Sequence, residues 1–334
     1  MKSGNAPLLM LSTLIACLCL ISCAPAAGLT DFTDDSGNAI TLADPPSRII
    51  SLAPSNTEII YALGLEDRLV GVTEYCNYPP AAKTKARVGG FSTVDLEKAV
   101  ALKPDLALAT DIHVKSVTPL LQKLGFTVMT LNPRTVNAAL KDINLLGQVT
   151  GRASAALELT TSLVKRVDAV AVRTGKLAPG QRSRVLLMIW NDPLMAAGGD
   201  TLIADIINIA GGENIASAIT GYGSISLETV ISRDPQIIIV PTQMGQSANP
   251  LRDYINSDPR FKSVSAVKNK RVYEIDGDLI YRYSPRCVSA LEQVASFLHP
   301  ELFGEAGAPG QKPSSKFQIP NNMKIKKLLL IIGI

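Results

Sequence analysis

The chain has 334 residues, enough for one large or two medium domains with complete apolar cores, and 46% of them are hydrophobic. Its formal charge of +4 sits at the ends, in Lys2 and in a tail where Lys312, Lys316, Lys324, Lys326 and Lys327 face Glu305 alone; removing these leaves residues 23–304 at about −1. A nucleic-acid binder needs a clustered basic face on its folded body, so this distribution argues against that class.

Lys2 is followed by the apolar run Leu8 to Ile21 and then Ser22-Cys23-Ala24. The run is too short to span a bilayer and stops at a processing site, so residues 1–22 read as a signal peptide. Leu20-Ile21-Ser22-Cys23 resembles a bacterial lipobox, which implies that Cys23 carries lipid and begins an anchored segment, 23–46; the alternative is an ordinary secretory leader with an incidental cysteine. Cys17 and Cys19 leave with the leader. Cys76 and Cys287 remain, and either a disulfide or two buried free thiols fits the sequence.

Residues 47–133 alternate strand and helix signals. Arg48 to Ala53 is an apolar strand ended by Pro54; Ser55 or Asn56 can cap the helix that follows, with Glu58 in its first turn and Gly64 at its left-handed end. Leu69 to Thr73, Leu106 to Thr110 and Thr127 to Leu131 read as strands, and Leu96 to Leu102 and Val114 to Leu124 as helices. That alternation predicts a parallel α/β sheet covered on both faces. From 134 to 177 the strand signal stops, and Leu140, Ile143, Leu146, Val149, Leu157, Leu163 and Val167 keep helical spacing, predicting a stiff connecting helix with Gly151 as the place where it could bend or divide. A second α/β lobe, 178–304, follows, with strands at Val185 to Trp190, Ile237 to Val240 and Val272 to Ile275 and helices near Leu202 to Ile209 and Pro285 to Leu298. The tail 305–334 is polar and Pro-containing, then ends in a short basic and apolar stretch; it reads as disordered or aberrant.

An internal echo links the lobes. Leu96-Glu97 through Pro104 to Leu106 aligns without a gap on Leu227-Glu228 through Pro235 to Ile237, at an offset of 131 residues. Each copy reads Leu-Glu, helix, Pro, apolar strand.

Five blocks carry a resemblance: Arg48 to Glu58 (RIISLAPSNTE), Val70 to Pro80 (VGVTEYCNYPP), Asp95 to Asp105 (DLEKAVALKPD), Gly211 to Ile215 (GGENI) and Ser284-Pro285-Arg286. In this order and spacing the chain resembles the helical-backbone substrate-binding proteins of ABC importers, in particular the vitamin B12 binders. The resemblance implies two Rossmann-like α/β lobes bridged by a long helix, with the ligand in the cleft between them. It implies that Glu97 and Glu228 dock to a permease, which its ATPase drives, and a carboxylate at the start of an exposed helix suits a bidentate arginine contact. It places ligand contacts at Tyr75 and at Asp278, Leu279, Ile280, Tyr281 and Arg282, with Trp190 open between cleft and core. A corrin is a broad apolar plate with amide arms, which flat side chains can cover and Asp278 and Arg282 can bind. The B12 binders have aromatic residues where Leu279 and Ile280 stand here, so a related corrinoid, a ferric siderophore or haem is the alternative ligand, with Tyr75, Tyr78, Tyr281 and Tyr283 as phenols that could meet iron. The expected protein is a monomer of the cell envelope.

No enzyme signature competes. His113 and His299 are the only histidines, far apart and expected to be solvated or at helix ends; there is no metal cluster, Walker loop, Gly-x-Ser-x-Gly turn or dinucleotide fingerprint. The sequence therefore predicts ligand capture without a cofactor and without chemical change.

Overall fold

The structure, a computed structural model, describes residues 30–242 and 250–304. Cys23, the leader and the tail 305–334 lie outside the described residues, and no helix among those described is long and apolar enough to cross a membrane.

In the first lobe five parallel strands run in the order Ala86–Arg87, Leu69–Val72, Ile49–Ser51, Leu106–Ala109, Val128–Thr130. The central strands are apolar on both faces because helices cover both, and Ile49, Ile50, Leu106 and Leu108 are fully buried. Each such side chain contributes about 1.5–3 kcal/mol relative to exposure. Gly71 lies in this sheet because a Cβ there would sit 2.5 Å from Leu102 Cδ1.

The second lobe is mixed. Ser183–Asn191, Ile237–Pro241 and Val272–Ile275 are parallel, as the sequence predicts, and Gly212–Asn214 joins Ser183–Asn191 in the same sense. Two strands that the sequence reading did not find, Leu194–Ala197 and Tyr222–Ser224, extend the sheet antiparallel. At four and three residues, neither shows an alternating pattern long enough to read.

The segment 134–177, expected as one connecting helix, is two. Val136–Val149 and Ala153–Thr174 are separated at Gly151, whose φ of +70° is open to glycine at little cost. The helices pack against each other where Gly147 meets Ala156; a Cβ at 147 would lie 2.3 Å from the Ala156 Cβ, so the close approach requires glycine. Ala153–Thr174, 22 residues and roughly 33 Å long, is the bridge. At its start Arg152 Nη2 donates to Gly64 O of the first lobe at 3.2 Å, and further along Arg166 makes a bidentate pair with Glu292 of the second lobe at 2.9 and 2.6 Å.

The segment 23–46, expected only as an anchored entry, contains a β-hairpin, Thr30–Thr33 with Ala39–Leu42. The Asp34 carboxylate accepts the Ser36 and Asn38 amides at 2.9 and 2.8 Å to shape its turn, and accepts Thr130 N at 3.0 Å to pin it to the first lobe. Alternating apolar residues about Asp-Ser-Gly-Asn carried that signal.

Two smaller expectations are corrected. The helix Pro54–Ala62 begins at Ala53 without a side-chain cap, because Pro54 has no N–H to satisfy and Ser55 and Asn56 lie inside the helix; Asn56 Nδ2 donates instead to Ala109 O at 3.0 Å. Of the two expectations for His113 and His299, the helix-end one holds and the solvated one does not: both are buried, His113 in the short helix Asp111–Val114 accepting Thr110 N at 3.0 Å and facing Phe91 O at 2.7 Å, and His299 capping the helix Cys287–Leu298 at 3.1 Å from Gly211 O. Cys76 and Cys287 are both free and buried.

Candidate functional site

Parallel strands send the loops at their carboxyl ends to one edge of a sheet, where open α/β folds bind ligands. In the first lobe these connections are Thr73 to Tyr78, Gly89 to Phe91 and Thr110 to His113, which opens the short helix Asp111–Val114; in the second they are Asn191 to Pro193 and Asp276 to Tyr281, which holds the short helix Gly277–Ile280. The two edges meet. Asn77 Nδ2 donates to Asp278 Oδ2 at 2.7 Å, and Glu58 receives three partners from the other lobe. Arg282 Nη1 donates to Glu58 Oε1 at 2.6 Å, Arg286 Nε and Nη2 to Oε2 and Oε1 at 2.9 and 2.7 Å, and Ser284 Oγ to Oε2 at 2.5 Å. The Glu58 side chain is 2% exposed. A carboxylate so deeply buried needs several charge-assisted bonds to offset its lost hydration, and two arginines supply them.

Large aromatic side chains stand open on both lobes. Tyr75 is 51% exposed and Trp190 47%; Trp190 Nε1 donates to Asp192 O at 2.9 Å, which leaves its ring face open, so it is not a core residue. Tyr281 is half-buried, edge-on to Tyr222 with ring centroids 6.4 Å apart. Burial holds the Tyr281 and Tyr283 phenols above their ordinary pKa, so both are neutral at physiological pH.

The segment 278–282 divides between ligand edge and interior. Ile280 is fully buried in the core, contrary to the sequence expectation, while Leu279 packs against that core and stays partly exposed. Both lie on the short helix Gly277–Ile280, whose inner face the core claims. Arg282 is 4% exposed and tied to Glu58, a role the sequence did not show. Its Nη2 lies 2.7 Å from Asp278 Oδ1, an ion contact too poorly aligned to be a hydrogen bond; Arg282 Nε and Asn77 Oδ1 also lack a hydrogen-bond partner among the described residues. Glu58 and Asn77 escaped sequence reasoning because nothing local marks a residue whose partners are more than 200 positions away.

Glu97 and Glu228 are exposed at the second residue of equivalent helices, Leu96–Ala101 and Leu227–Arg233, capped by Asp95 and Ser226 at 3.1 Å each. A separate hollow of about 730 Å³ is lined by Arg134, Arg182, Asp200, Asp205 and Glu213, with both signs of charge and none of the open aromatics. It does not have the lining of an apolar-plate site.

Fold and junction together define a protein of two α/β lobes that meet at their strand-end edges. The periplasmic binding protein family model matches residues 49–279, and the chain belongs to that family, a family of transport proteins rather than enzymes. It is 31% identical over 278 residues to an uncharacterized ABC transporter substrate-binding lipoprotein, YvrC, of Bacillus subtilis, covering 81% of this chain and 86% of the relative. It is 30% identical over 256 residues to the vitamin B12-binding protein of Vibrio cholerae, covering 76% and 90%. Among solved structures, the periplasmic vitamin B12 binding protein BtuF of Vibrio cholerae superposes with a TM-score of 0.66 at 29% identity, covering 76% and 97%. A possible iron-binding periplasmic solute-binding protein of Staphylococcus epidermidis gives 0.66 at 29%, covering 77% and 100%. The chain is thus a substrate-binding protein of the ABC transporter type, a class that works outside the cytoplasm.

Proposed function

We propose that this protein captures cobalamin or a related corrinoid in the cleft and delivers it unchanged to an ABC permease. The observation that carries this reading is the pair of open rings, Tyr75 on a strand-end loop of the first lobe and Trp190 near the end of the strand Ser183–Asn191 of the second, with polar groups at Asn77 and Asp278 where the lobes meet. Flat apolar area with a few convergent polar atoms suits a corrin plate and its amide arms. The relatives that bind vitamin B12 support the same ligand. Glu97 and Glu228, at matching exposed helix starts, are the permease contacts, and Cys23 is the lipid anchor; a diacyl or triacyl mass on the first mature peptide decides the latter.

A ferric chelate or haem is the second reading, favoured by the exposed phenols of Tyr75 and Tyr78 and by the similarity to the possible iron-binding protein. Calorimetric titration with cyanocobalamin, haemin and a ferric hydroxamate separates the two.

A further inference from the structure

The strand-end loop that carries Tyr75 ends in a second open aromatic, Tyr78, 45% exposed. The Arg286 guanidinium carbon lies 4.1 Å from the centre of its ring, at cation–π distance. One ring face is therefore covered by a residue of the opposite lobe, and the other remains to be presented.

The covering group is itself immobilised. Arg286 Nε and Nη2 donate as a fork to Glu58 Oε2 and Oε1 at 2.9 and 2.7 Å, and Nη2 reaches Asp278 O at 3.3 Å. Glu58 is built into the helix Pro54–Ala62 and is further held by Arg282 and Ser284. A chain of contacts thus starts on a first-lobe helix, crosses to the second lobe at Arg286, and returns to the first-lobe loop at Tyr78. A planar guanidinium fixed at two points offers a fixed plane for a ring to lie on, which a lysine ammonium cannot.

We propose that Tyr78 forms a wall of the ligand cleft and that Arg286, oriented by Glu58, is the positioning residue that sets its ring. The inference rests on the cleft being the ligand site. A ring held before the ligand arrives loses little freedom on contact, so Arg286 contributes to affinity without touching the ligand. The ligand face it creates is flat and apolar, suited to a plate-shaped chelate.

The test is a double-mutant cycle in the whole protein, read by titration with cyanocobalamin. Tyr78→Ala and Arg286→Leu should each weaken binding about tenfold, and the double variant should bind no worse than either alone, because both remove one device. Tyr78→Phe, which keeps the ring, should rescue most of the Tyr78→Ala loss. Wild-type affinity in Tyr78→Ala, or a double variant weakened by the product of the single losses, overturns the proposal. A second measurement uses no ligand: in Arg286→Lys, which keeps the charge and loses the fork, hydrogen exchange of residues 74–79 should quicken several-fold more than that of the core strand Leu106–Ala109 in the same protein. Exchange of 74–79 that quickens no more than that strand's overturns the positioning role whichever ligand binds. If the wild type ignores cyanocobalamin and takes haemin, the cobalamin reading fails, and the same cycle run with haemin supports the positioning role by coupling or overturns it by additivity.

Discussion

Asp142 lies buried in the helix Val136–Val149 with its Oδ2 lacking a hydrogen-bond partner among the described residues. Burial first, and the neighbouring Asp35 carboxylate second, raise its carboxyl to about 9. The folded protein therefore keeps a proton on Asp142 that the unfolded chain releases near the ordinary carboxylate value, and between those limits the native state binds more protons. Stability from this group is complete at low pH and declines as pH rises towards about 9. Asp142→Asn, which imitates the protonated acid, should stabilise the protein at pH 8 by on the order of 1–3 kcal/mol, with the gain vanishing towards pH 4. Urea unfolding of both proteins at the two pH values checks this. Equal stability at pH 8 would mean that Asp142 is ionised in the fold.

At the scale of elements, the repeat at offset 131 is visible as bonding. Arg48 Nε donates to Leu102 O and Lys103 O, and Arg184 Nε to Arg233 O and Asp234 O, which are the aligned positions. Lys103 and Asp234 share a left-handed φ of 46° and 43°, and Asp105 Oδ1 and Gln236 Oε1 each accept the amide of the lobe's arginine at 2.9 Å. Two copies of one helix-turn-strand unit therefore present Glu97 and Glu228 alike. Glu97→Ala with Glu228→Ala should leave ligand affinity unchanged and abolish uptake in transport assays; loss of binding in that variant would contradict the docking role. What the sequence made legible was local: the parallel strands, the Leu-Glu helix starts and the left-handed Gly64 follow from periodicity and capping chemistry. The strands Leu194–Ala197 and Tyr222–Ser224 are held by pairing partners rather than by their own pattern, and Glu58 reads as a first-turn acid until Arg282 and Arg286 are brought to it by the fold.

For the whole molecule, the bridge Ala153–Thr174 is tied to the first lobe at its N-cap Arg152 and to the second at Arg166, and the Glu58 junction joins the lobes directly. Removing one partner of a buried pair of this kind costs about 3–5 kcal/mol, far more than an exposed pair, so the junction favours a cleft formed in advance over a widely swinging one. In the function proposed above, the open rings of Tyr75, Tyr78 and Trp190 are the surfaces offered to a rigid plate. Isothermal titration of the purified protein with cyanocobalamin tests that account most directly. Saturable one-to-one binding that weakens in Tyr75→Ala and in Trp190→Ala is the predicted result, and absence of binding by cyanocobalamin alongside tight binding of haemin or a ferric hydroxamate would contradict it.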